Sequence, residues 1–150
     1  MTVLDAQAVI AFLTDEPARG LVEALLRDQA HPACIGAANL AECVDVLTRV
    51  KHIPEDEALA ALDLVLEVVP VASVDVEIAR RAGRIRGRHY QADRCPVSLA
   101  DCLALATALA RNEPLATSNL ALAQAARAEG CRVVPLPDQR GLAPVDADTG

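Results

Sequence analysis

Apolar residues along this chain fall into two alternating kinds of segment. Short β-branched runs bounded by polar turns predict strands, and longer stretches with apolar positions three or four apart predict helices. The first run, "TVLDA", enters the apolar stretch "AVIAFL", and Asp15, Glu16 and Pro17 then mark a break and a new helix start. From Ala18 to Arg27, Leu21, Val22, Leu25 and Leu26 recur at helical spacing, and a second strand follows at "ACIGA". In "ANLAECVDVLTRV" the residues Leu40, Cys43, Val44 and Leu47 form an i, i+3, i+4, i+7 stripe, which leaves Glu42 off the core face. Pro54 opens another helix, "EDEALAALDLVLE", with acids in its first turn as the helix dipole favours.

The alternation then continues. "VVPVAS" reads as a third strand, "DVEIARRAGRIRGRHY" as a basic helix, and "SLADCLALATALA" as a helix after the loop "QADRCPV". "PLAT" is a fourth strand, "SNLALAQAARAEG" a helix ending at Gly130, and "CRVVPL" a fifth strand. Strands that alternate with helices predict an α/β sandwich with a mostly parallel sheet, because parallel neighbours need crossover connections. The Pro-, Gly- and Asp-rich stretch "PDQRGLAPVDADTG" predicts a flexible tail over residues 137–150, after one domain over 1–136.

Composition narrows the function classes. The hydrophobic fraction of 53% is carried by Ala, Val, Leu and Ile, with Phe12 and Tyr90 as the aromatic residues, so the core is built from small aliphatic side chains. No apolar run reaches the roughly 18 residues of a membrane span, and "MTVLDAQAVIAFL" lacks a basic leader, so no membrane contact and a cytoplasmic location are expected. Cys34, Cys43, Cys95, Cys102 and Cys131 are odd in number and form no CxxC pair, which favours buried thiols over disulfides or a zinc site. A net charge of −7 argues against a general nucleic-acid coating protein. Any such contact must be local, and Arg80, Arg81, Arg84, Arg86, Arg88 and Arg94 are clustered in one stretch.

Ligands in an open α/β sheet collect at the carboxyl ends of the strands. Asp5 is predicted at the end of strand one, Glu42 in the helix after strand two, and Asp101 in the first turn of the helix before strand four, with Thr117, Ser118 and Asn119 just past that strand. Adjacent strand centres lie about 4.8 Å apart, so side chains from three neighbouring strands can lean together. Carboxylates so placed repel, and a divalent cation reverses the penalty. Oxygen ligands of this kind suit Mg²⁺ or Mn²⁺, which activate water and stabilise charge on a phosphodiester under attack. Each residue also has a simpler role open to it: Asp5 and Asn119 fit helix caps, Ser98 and Asp101 have capping-box spacing, and Glu42 fits a solvated helix acid. Capping and ion binding are compatible.

The ordered set "TVLDAQAVIAFL", "AANLAECVDVL", "SLADCLALATALA" and "PLATSNLAL" resembles the PIN-domain ribonucleases, especially the toxins of VapBC toxin–antitoxin pairs. The resemblance covers the chain to about Leu136. It implies a three-layer fold with strand order 3-2-1-4-5 and a Mg²⁺- or Mn²⁺-dependent endoribonuclease. Asp5, Glu42 and Asp101 match the first three acids of the family pattern, with Asn119 at the place of a usual fourth acid and Gln7 where Ser or Asn is common. These two departures make a one-metal or weakened site, acting mainly by binding, the alternative. The family also implies an RNA substrate, a cognate antitoxin and commonly a homodimer. Asp5 and Asp101 are then expected to be direct ligands, and Glu42 a ligand or the group that orients water. Asn119 is expected to help hold the ion's water, with Thr117, Ser118 and Ser98 supporting. Arg80, Arg84 and Arg88 are the candidates for backbone contact, against a solvated, ion-paired helix face.

Other α/β enzymes fit less well. The chain has no GxGxxG after the first strand, no GxxxxGK[ST] phosphate loop and no DxD at Asp5, and Lys51 is its sole lysine.

Overall fold

A computed structural model describes residues 1–145. In chain order the elements are β1 (Thr2–Leu4), α1 (Ala6–Leu13), α2 (Arg19–Arg27), β2 (Ala33–Gly36), α3 (Ala37–Asp45), a π-helical turn (Val46–Val50), α4 (Glu55–Leu66), β3 (Val71–Ala72), α5 (Val76–His89), α6 (Leu99–Arg111), β4 (Leu115–Thr117), α7 (Leu120–Ala128) and β5 (Val133–Pro135). The strands form one sheet in the order β3-β2-β1-β4-β5, with every neighbouring pair parallel. This is the α/β architecture that the alternation of elements predicts, with the strand order that the family resemblance implies.

Two cores cover the two faces of the sheet. Leu4, Ile35 and Ala116 pack with α1, α2, α3 and α4 on one side, while Val3, Cys34 and Leu115 pack with α5, α6 and α7 on the other. Adjacent residues of each central strand therefore point to opposite faces, as the period of two in a strand requires. Both faces are apolar, which is why these strands read as continuous hydrophobic runs. On helix α6, Cys102, Ala104, Leu105, Ala106 and Ala108 are all fully buried.

The helix predicted through "ANLAECVDVLTRV" changes register at its end. Over Val46–Val50 it widens to a π turn, with the Lys51 amide donating to the Val46 carbonyl at 2.9 Å, five residues back. Thr48 Oγ1 donates to the Val44 carbonyl at 2.7 Å in the same turn.

Within the expected tail, Asp138 accepts from the amides of Arg140 at 2.8 Å and Leu142 at 3.0 Å, and Gln139 Nε2 donates to Glu16 Oε1 at 2.6 Å. Residues 146–150, the rest of that tail, lie outside the described residues. All five cysteines are free, and all but the partly exposed Cys95 are buried. Among the described residues no helix is long and apolar enough to cross a membrane.

Candidate active site

The parallel sheet brings the ends of β1, β2 and β4 to one edge, and each end starts a helix. Asp5 follows Leu4 directly and caps α1, its Oδ1 accepting from the Ala8 amide at 2.8 Å. Glu42 sits on α3, which begins immediately after β2. Ser98 caps α6 through the full reciprocal box: its hydroxyl accepts from the Asp101 amide at 3.0 Å while Asp101 Oδ2 accepts from the Ser98 amide at 2.9 Å. Asn119 caps α7, its Oδ1 accepting from the Leu122 amide at 3.2 Å. The capping roles open to Asp5, Ser98, Asp101 and Asn119 are thus all occupied.

The segment Thr117–Asn119 ties the acids together. Thr117, fully buried, donates from Oγ1 to Asp5 Oδ2 at 2.5 Å and accepts from the Asn119 amide at 3.0 Å. Asn119 Nδ2 reaches Asp101 Oδ2 at 3.4 Å, a long bond. A chain of donors therefore runs from Asp101 through Asn119 and Thr117 to Asp5. Ser118 lies beside it, lining a concavity of about 390 Å³ with Gln7, Gln139 and Arg140.

All three carboxyl groups are held above the ordinary carboxylate range. Burial, offset in part by the Thr117 and Ala8 hydrogen bonds and reinforced by Asp101 and Glu42, pushes Asp5 up to about 7. Burial raises Glu42, with Asp101 and Asp45 adding repulsion and Asn39 opposing it. Burial also raises Asp101, against the stabilising bonds from Ser98. Among the described residues no lysine or arginine offsets the burial of any of the three, so the cluster has no internal counter-ion there.

Whether these residues fit a divalent ion depends on their donors. They are hard oxygens, mutually repelling and cation-poor, which is the set Mg²⁺ or Mn²⁺ takes. Each ionised carboxylate has about four lone-pair positions, so capping leaves positions over for a ligand. Among the described residues no three His, Cys, Asp or Glu side chains stand close enough to enclose an ion as they are oriented. Asp101 turns back to Ser98 and Asp5 to Ala8 and Thr117, so ion binding requires these side chains to share their caps.

Two further residues belong to this edge. Asn39, fully buried, donates from Nδ2 to the Ala100 carbonyl at 3.1 Å and so pins α3 to the start of α6, fixing Glu42 relative to Asp101. Its Oδ1 is a buried acceptor with no partner among the described residues. A side chain at Gly36 could not be added without crowding that oxygen, since a Cβ there lies 3.1 Å from it. Arg86 donates from Nε to the Val97 carbonyl at 3.0 Å, beside the cap of α6, and lies over the Tyr90 ring at 4.3 Å from its centroid.

The arginine candidates divide. Arg84 and Arg88 line one concavity together with Arg81, Leu109 and Glu129, whereas Arg80 is outside it, 3.4 Å from exposed Glu77.

A doubly flanked parallel sheet with an acidic cluster at its carboxyl edge defines the class of fold. The PIN domain family model matches residues 2–128, and the chain belongs to that family. Solved structures agree on the fold. DNA-bound VapBC from Salmonella typhimurium aligns at a TM-score of 0.70 and 21% identity over 89% of this chain and 96% of that one. VapBC2 from Rickettsia felis, bound to a promoter DNA fragment, aligns at 0.67 and 17% over 89% and 96%. Mycobacterium tuberculosis VapC20, described as a Sarcin-Ricin loop cleaving toxin, aligns at 0.62 and 19% over 75% and 85%. Comparison with curated proteins finds no match.

Proposed function

We propose that this chain is a divalent-metal-dependent endoribonuclease, the toxin of a VapBC-type pair, acting in the cytoplasm. The observation that carries the reading is the cluster of Asp5, Glu42 and Asp101, all raised and lacking a cationic partner among the described residues, at the edge where the sheet places ligands. Family membership and the likeness to VapC20, a toxin described as cleaving the Sarcin-Ricin loop, support it.

Asp5 and Asp101 would hold the ion, Mg²⁺ or Mn²⁺, with Glu42 and Asn119 as the further oxygen donors. When bound, the ion supplies Lewis-acid stabilisation and a more acidic water. Glu42, less buried than Asp5, orients the attacking water and takes its proton. The water oxygen bonds to phosphorus, one P–O ester bond breaks, and the departing oxygen is protonated from solvent. Thr117 keeps Asp5 aimed, and Ser98 does the same for Asp101. Incubating the purified protein with RNA in Mg²⁺ or Mn²⁺ tests the reading. Cleavage that chelator abolishes is the expected result, and intact RNA under every ion condition overturns it.

A second reading draws on one residue. Asn119 directs an amide donor at Asp101 where a fourth acid would add charge, so the site is an ion-poor module that works mainly by binding. Such a module shows neither ion affinity nor RNA cleavage above background. In either case the partner we assign is an antitoxin, since the VapBC neighbours are solved as complexes. The apolar groove of Phe12, Leu13, Leu26, Leu64, Val65 and Val68 suits an antitoxin segment. A homodimer is part of the same proposal.

A further inference from the structure

Helix α5 presents two arginine faces to opposite ends of α6. Ala82 and Ile85 are buried and fix the roll of the helix. Arg86 then emerges toward Val97 and Leu99 at the start of α6, while Arg81, Arg84 and Arg88, at i, i+3 and i+7, emerge toward Leu109 near its end. Leu109 lies eight residues beyond Asp101 on α6, about 12 Å along the axis, and Glu129 follows the end of α7, about 15 Å from Asn119. The three arginines thus share a concavity of about 390 Å³ that is separate from the acidic edge.

Charge in this concavity is unbalanced. Glu129 Oε1 takes Arg88 Nη2 at 2.8 Å and His89 Nε2 at 2.7 Å, so the one carboxylate present is already shared. Among the described residues Arg81 and Arg84 have no hydrogen-bond or ion-pair partner. In a chain of net charge −7, guanidinium groups gathered here in excess of their one counter-ion, Glu129, point to an anionic ligand.

We propose that Arg81, Arg84 and Arg88 form a docking site for the phosphate backbone of the RNA substrate, away from the cleavage centre; the identity of the RNA as substrate rests on the nuclease reading. Guanidinium forks match phosphate oxygens in pairs. The stripe spans about 10 Å of helix, enough for more than one phosphate. Its lining contains no aromatic residue and only Leu109 as an apolar one, so it offers neither a stacking platform for bases nor the anchor pocket a protein partner needs. Recognition there is through the backbone and independent of base sequence.

The test is RNA affinity in chelator, where cleavage cannot interfere. Fluorescence anisotropy compares a long single-stranded RNA with a tetranucleotide, for wild type, the double variant Arg81→Glu/Arg84→Glu, and the milder Arg84→Gln, with folding checked by thermal melting. The site predicts more than about tenfold weaker binding of the long RNA by the double variant. It also predicts a salt slope shallower by about 0.7 for each phosphate no longer neutralised and little change for the tetranucleotide. Arg84→Gln should show the same effect in smaller measure, which guards against misfolding of the double variant. Unchanged affinity and slope in folded variants overturn the proposal, as does wild-type protein with no arginine-dependent RNA binding. Arginine-dependent binding by a wild type that never cleaves RNA leaves this site standing and removes the nuclease reading.

Discussion

Thr117 Oγ1 and Asp5 Oδ2 meet at 2.5 Å, joining the end of β4 to the end of β1 inside the protein. Asp5 is 2% exposed and Thr117 0% exposed, so this hydroxyl is one of two donors that keep a buried carboxylate solvated by the fold itself. Thr117→Val keeps the shape and removes the donor. A buried acceptor left without its partner costs about 1–3 kcal/mol, and the Asp5 carboxyl moves further up. Urea denaturation of the variant is expected to show that loss, and RNA cleavage at pH 7 to fall at least about tenfold if the ionised form is the working one.

The elevated carboxyl of Asp5 makes stability pH-dependent in metal-free protein. Its ordinary value of 3.8 applies to the unfolded chain and about 7 to the fold, so between these the folded state holds one proton more. Stability therefore decreases as pH rises through that window. Melting temperatures measured in chelator from pH 4 to pH 8 are expected to fall more steeply for wild type than for Asp5→Asn. Parallel profiles for the two proteins would remove Asp5 as the source.

Asn119→Asp restores the acid that the family pattern usually carries. Aspartate caps a helix as well as asparagine does, so α7 keeps its start. The amide donor facing Asp101 disappears and a like charge takes its place, which destabilises the metal-free protein once both carboxyls are ionised and strengthens the ion site. Mn²⁺ affinity is expected to rise by about tenfold, or 1.4 kcal/mol, read as a larger melting-temperature increase on adding Mn²⁺. No gain in the Mn²⁺ effect argues that Asn119 is remote from the ion.

Ser98→Ala separates capping from ion binding at Asp101. Loss of the hydroxyl acceptor for the Asp101 amide is expected to cost about 1 kcal/mol of stability, read by chemical denaturation. Mn²⁺ affinity should change much less, because the Asp101 carboxylate remains.

The doubly covered parallel sheet was legible because Val3 and Leu4, or Cys34 and Ile35, face opposite cores and so give continuous apolar runs, whereas its strand order came only from the family resemblance. The acids were legible by position, since each lies at or just after a strand end or a helix start. Their joint geometry was not, because Asp101 and Asn119 look alike as caps or as site residues, and only the folded chain shows that the two caps also touch each other. Asn39 gives no sequence signal at all: its importance lies in a bond to Ala100, 61 residues away. The face of α5 was partly legible. Six arginines in one stretch leave its roll open until Ala82 and Ile85 are seen to be buried, which brings in Arg81 and leaves Arg80 out. The π turn at Val46–Val50 likewise keeps the apolar spacing of a helix while changing its hydrogen-bond register.

Calorimetric titration of Mn²⁺ into wild type, Asp5→Asn and Asp101→Asn at pH 7, with circular dichroism to verify the fold, tests the central claim that these acids share one ion. The account predicts one saturable ion on wild type and at least about tenfold weaker binding to each folded variant. Equal binding by all three proteins, or none by wild type, contradicts it.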